Sequence, residues 1–178
     1  MSNDSVEVKK RVAFQSMNAN KSYWGNDDYK STIVDIFYQA VRRVLSKPLV
    51  ISEEFQEHID NHSVKKEKDH CYPPSIIGRC IMDNADLVLN DFELFSQIFD
   101  LCSQSTCWVT QEENKILRQQ TKVRNGDFYL TCSIKDKYLD AGINLISGQG
   151  PIDELPYAIP EFILEWEKQY IDRRSFKV

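Results

Sequence analysis

EKDHCYPPS, residues 67–75, decides how this chain is read. Asp69 stands directly before His70, Pro73 and Pro74 follow, and Ser75 closes the stretch. Lys65, Lys66 and Lys68 surround its start. The prolines force an extended or turning backbone. On extended backbone, successive side chains point to opposite faces. One member of the Asp69–His70 pair can then hold a metal ion while the other faces a water molecule. Phosphodiester hydrolysis needs that division of labour. Histidine titrates near neutrality and can take a proton from water, and a divalent cation stabilises the charge that develops on the leaving oxygen.

Upstream of this stretch, Ile33, Ile36, Phe37, Ala40, Val41, Val44 and Leu45 recur at three- and four-residue steps. That periodicity predicts a helix from Asp28, stopped by Pro48. Residues 1–27 are polar and weakly patterned, and are expected to form an arm or tail whose Tyr23 and Trp24 pack onto the body. Ser52, followed by Glu53 and Glu54, reads as the N-cap of a second helix that carries Phe55 and Ile59 and fades near Asn61.

Downstream, residues 75–89 read as partly helical. Asp91 is placed to cap a helix whose Phe92, Phe95, Ile98, Phe99 and Cys102 share one face. Residues 107–109 predict a short strand, and Thr110 to Glu113 has the spacing of a capping box. Asn125, Gly126 and Asp127 predict a turn, and Phe128 to Ile134 alternates as a strand does. A short helix from Lys135 to Ala141 should end at Gly142, with a loop at Gly148, Gly150 and Pro151. Pro160 should open a last helix carrying Phe162, Ile163, Trp166 and Tyr170. The expectation is an α+β fold, helix-rich, with residues 28–178 forming one domain.

The 178 residues are 42% hydrophobic and 28% charged, enough to bury a core. The net charge of −5 excludes a simple polycation, so nucleic-acid binding requires a local basic face. Five cysteines, an odd number with no CxxC pair, and a start without an apolar segment fit a reduced, cytoplasmic compartment. No apolar run approaches the roughly 20 residues that span a bilayer.

The stretch D-H-C-Y-P-P-S resembles the D-H-x-x-P-x-S signature of the HNH endonucleases, the ββα-metal superfamily, through Asp69, His70, Pro73 and Ser75. The resemblance implies a short hairpin followed by a helix that returns a third residue to the metal, here over residues 64–120. The segment C-W-V-T-Q-E-E-N-K-I-L, residues 107–117, resembles the closing half of that motif and makes Asn114 the third site residue. By the resemblance His70 is the general base, while Asp69 and Asn114 hold one divalent cation. Their hard oxygens suit Mg²⁺ or Mn²⁺ better than zinc. His70 and Asn114 lie 44 positions apart, so the hairpin should contain an insertion, the helices from Ser75 to Cys102. Asn84 and Asn90 are the candidates for the family's middle asparagine.

Lys65, Lys66 and Lys68 on one side, and Lys115, Arg118, Lys122 and Arg124 on the other, are placed to neutralise phosphates, with Arg79 a further contact. The implied activity is metal-dependent endonucleolytic hydrolysis, with DNA as the first-choice partner, and a homodimer or a protein partner left open. Two other readings stay open. One is a non-catalytic interaction module of a phage or defence system. The other is a zinc-stabilised fold using His58 and His62, which have the i, i+4 spacing of a shared zinc.

Overall fold

The computed structural model describes residues 3–44, 46–61, 63–124, 127–152 and 155–171, and of residues 3, 4, 27, 121–124, 127 and 128 the backbone alone. In chain order the helices and strands are α1 (Asn3–Ala19), α2 (Asp27–Arg42), β1 (Val50–Ser52), α3 (Glu53–Glu57), β2 (Lys66–His70), α4 (Pro74–Asp83), α5 (Ala85–Val88), α6 (Phe92–Gln104), β3 (Thr106–Thr110), α7 (Gln111–Leu117), β4 (Thr121–Arg124), β5 (Asp127–Leu130), α8 (Lys137–Asp140), β6 (Leu145–Ser147), β7 (Gly150–Ile152) and α9 (Glu161–Glu167). The chain is α+β and helix-rich, as expected. Its backbone divides into two compact units, residues 1–47 with 72–105, and residues 48–71 with 106–178.

The first unit is helical. Its core follows the stripe read from the sequence of α2, with Ile33, Phe37 and Val41 buried; Leu45 lies outside the described residues. Phe95, Ile98, Phe99 and Cys102 of α6 are buried as well. Phe37 meets Phe95 and Phe99 edge-on, with ring centroids 5.8 and 6.0 Å apart. Helix α4 lies so close to α2 that a Cβ on Gly78 would sit 2.9 Å from Val34 Cγ1.

Residues 1–27, expected as an arm, instead supply α1. Its Ala13 and Met17 are buried, and Phe14 packs edge-on against Phe92 and Phe95. Lys10 is almost fully buried yet satisfied, its ammonium 2.5 Å from Asp100 Oδ2 and 3.0 Å from Ser96 Oγ. A face that mixes small, aromatic and charged residues carries little periodic signal, which is why the segment reads as a tail.

The second unit is built on a five-stranded mixed sheet in the order β2-β3-β1-β6-β7. Strands β1 and β3 are parallel and the other pairings are antiparallel. Each of the parallel strands runs directly into a capped helix. Ser52 Oγ accepts from the Phe55 amide at 3.1 Å, and Thr110 forms the expected capping box with Glu113. Glu113 Oε2 also accepts from Ser52 Oγ at 2.7 Å, so one carboxylate ties the two helix starts together.

Several strands differ from expectation. Val50–Ser52 is too short to alternate, and its pairing with β3 and β6 is what makes it a strand. Of the loop expected at residues 148–151, only 148 and 149 form the β6–β7 turn, while Gly150, at φ 117°, and Pro151 open strand β7. The strand expected over 128–134 is limited to Asp127–Leu130, because its partner β4 ends the ladder at Thr121 opposite Leu130. The predicted turn at Asn125–Gly126 lies outside the described residues. The short helix before Gly142 is present as α8, and Gly142 holds φ 69°, a left-handed conformation suited to glycine. In α9, Ile163 and Trp166 are buried as the stripe predicted.

Candidate functional site

Strand β2 is K-E-K-D-H, and its alternation sorts its side chains. Glu67 and Asp69 share one face, while Lys66, Lys68 and His70 take the other. The strand stands at one end of the sheet order and pairs with β3, Asp69 opposite Cys107 and His70 opposite Thr106. Strand β3 leads straight into α7, so β2, β3 and α7 form a strand-strand-helix sequence. Its hairpin connection is long and contains α4, α5 and α6.

Asn114 is buried on α7 and returns to β2. Its amide Nδ2 donates to the Glu67 carboxylate, two positions before Asp69 on the same face. Arg118, largely exposed, lies 3.3 Å from the same Glu67 oxygen.

Asp69 is held by a different element. Lys137 Nζ, on α8, donates to Asp69 Oδ2 at 2.5 Å and to the His70 carbonyl at 2.7 Å. The Tyr138 hydroxyl donates to the same Asp69 oxygen at 2.5 Å and lies 3.6 Å from Cys71 Sγ. Lys137 is 4% exposed and Tyr138 2%. A buried ammonium needs a paired, hydrogen-bonded counter-charge, and Asp69 supplies it. Burial raises the Cys71 thiol to about 12 despite the opposing Lys137 charge, and raises Cys107 further. Both are therefore neutral thiols at physiological pH. The Tyr138 phenol is pushed well above its ordinary value, chiefly by burial, so it is a hydrogen-bond donor.

Tyr138 also lines a cleft of about 540 Å³ with Glu53, Asn144, Leu145, Ile146 and Pro151. Asn144 Nδ2 donates to Glu53 Oε2 there at 2.9 Å.

The remaining expected residues are spread more widely. His70 and Lys68 are half-buried on β2. Lys65 is exposed, and its carbonyl accepts from the Gln111 amide. Lys66 Nζ donates to the Ile59 carbonyl at 2.6 Å and sits over the Phe55 ring. Lys115 pairs with Glu112 at 2.7 Å. Lys122 and Arg124 lie on β4, their side chains outside those described. Arg79 lies on α4, in the first unit. Asn84 and Asn90, also in that unit, donate to the carbonyls of Cys80 and Asp86 four residues back, which is local helix-end bonding.

His58 is the C-cap of α3 and not a member of its helical face, and it lies 4.0 Å from Glu54. Helix α3 ends at Glu57, and His62 lies outside the described residues. Sequence reading missed Glu67, Lys137 and Tyr138. Strand alternation from Asp69 was a signal for Glu67. None existed for Lys137, 68 positions away.

No family model, no curated protein and no solved structure matches this chain. No helix among the described residues is long and apolar enough to cross a membrane.

Proposed function

We propose that the chain is a metal-dependent nuclease that hydrolyses phosphodiester bonds in nucleic acid, DNA foremost, at the end of β2. One observation carries the reading. A strand ending in Asp69–His70 pairs antiparallel with β3, and the helix that follows β3 returns Asn114 to the same strand.

In this reading His70 takes the proton from the attacking water. The Asp69 carboxylate and the Asn114 amide are the oxygen donors that would hold Mg²⁺ or Mn²⁺, of the hard type both ions prefer. The bound ion would supply charge stabilisation to the leaving oxygen. For this, Asp69 must exchange Lys137 for the ion, and Asn114 must turn from Glu67. Lys65, Lys66, Lys68, Lys115 and Arg118 would hold the phosphate backbone.

The test is plasmid DNA incubated with Mg²⁺, Mn²⁺ or EDTA. Wild type should nick with either metal and not with EDTA, and His70→Ala should be slower by about 100-fold or more, the usual worth of a general base. Undiminished nicking by His70→Ala would overturn the role of His70.

A second reading has its own observation. Both carboxylates on the Glu67–Asp69 face already have a cation from the chain, Arg118 and Lys137. A face whose charges are internally matched suits a non-catalytic protein-interaction module, and absence of cleavage with every metal is its expected result.

A further inference from the structure

The last two residues of β2 aim two oxygens at one point, and that point is held by an ammonium. Asp69 Oδ2 lies 2.5 Å and the His70 carbonyl oxygen 2.7 Å from Lys137 Nζ. The Tyr138 hydroxyl fixes the same carboxylate oxygen at 2.5 Å. A carboxylate with a backbone carbonyl is a donor set for a hard cation. The Lys137 side chain is 6% exposed and that of Asp69 16%, so the charge sits in a built recess and not in a solvated surface pair.

The Lys137 backbone is anchored separately, its carbonyl accepting from Gln120 Nε2. The ammonium hangs on a flexible four-carbon stem.

We propose that Asp69 and the His70 carbonyl form a cation site in which the Lys137 ammonium is the tethered occupant, competing with a free divalent metal ion. The purpose of the competition rests on the nuclease reading: metal would load the end of β2 only by expelling Lys137. The site itself does not depend on that reading. An ammonium and a divalent ion within contact of the same carboxylate and carbonyl oxygens repel each other strongly, so affinity for metal should rise when the ammonium is removed and fall when the carboxylate is.

The experiment is Mn²⁺ binding, followed by the electron paramagnetic resonance signal of the free ion, on wild type, Lys137→Met, Lys137→Arg and the double variant Asp69→Asn/Lys137→Met. Methionine approximates the stem and removes the charge; arginine keeps the charge. Lys137→Met should bind Mn²⁺ about tenfold or more tightly than wild type. Lys137→Arg and the double variant should not gain. Equal affinity of Lys137→Met and wild type, or a gain that survives Asp69→Asn, overturns the site.

If Lys137→Met unfolds without metal, recovery of its thermal transition by Mn²⁺, with no Mn²⁺-induced shift in the double variant, is the supporting result; absence of recovery overturns the site. The plasmid assay on the same proteins separates the two claims. A Lys137→Met chain that gains Mn²⁺ while neither it nor wild type cuts DNA removes the nuclease and leaves the site. A wild type that cuts, beside a Lys137→Met chain that gains no Mn²⁺, removes the site and leaves the nuclease.

Discussion

The aromatic layer of the first unit and the Glu67–Asp69 face of the second bury comparable chemistry in opposite ways. Phe37, Phe95 and Phe99 are fully buried and need no particular partner, since apolar burial is non-directional. Lys137 and Tyr138 are buried, and Asp69 half-buried, because each supplies what another lacks. Loss of one aromatic ring costs its own area and leaves a cavity. Loss of one polar partner leaves a stranded charge. The first kind of region tolerates change in proportion to volume, whereas the second fails at a single atom.

Phe37→Ala should have the largest effect, a loss of about 4 kcal/mol in urea unfolding, because the ring is fully buried among other rings. A loss below about 1 kcal/mol would show that the layer collapses onto the gap. Asp69→Ala should cost somewhat less, about 3 kcal/mol, by leaving the Lys137 ammonium without its carboxylate. Adding Lys137→Met to that variant should recover more than half of the loss, since the two sites are coupled. Strict additivity in the double variant would mean that the ammonium relaxes to water and that the polar region behaves like the apolar one.

Glu167 should show the smallest effect, and its sign is specific. Burial raises its pKa above the ordinary 4.5, against the opposing hydrogen bonds from Ser133 Oγ and the Ile134 amide. The folded chain therefore holds this proton more tightly than the unfolded chain. Its contribution to stability is fully present below pH 4.5 and is lost as pH rises through the raised folded value. Glu167→Gln cannot ionise, so its thermal midpoint relative to wild type should rise between pH 4 and pH 7. A difference that stays flat or falls would place the hydrogen bonds above burial.

These contrasts follow what the sequence made legible. The stripe on α2, the face of α6 and the Thr110 capping box could be read directly, because each is set by neighbours within a turn or two of helix. The Asp69–His70 pair was visible, and so was the strand-to-helix segment that carries Asn114. What Asp69 and Asn114 touch was not. Asn114 meets Glu67 because β3 pairs with β2 in a register that places Glu67 opposite Val109, just ahead of α7. The short strands β1, β6 and β7 were equally hidden, since three residues carry no periodicity and only their partners define them.

By itself the sequence determined the helix-rich α+β character and most long helices with their buried faces. Tertiary structure alone decided that α1 joins the first unit's core and that Lys137 and Tyr138 hold Asp69. The physical reason is distance along the chain. Helical stripes and caps are interactions between near neighbours, whereas the charge that completes the half-buried Asp69 carboxylate arrives from 68 positions away, and only the fold brings the two together.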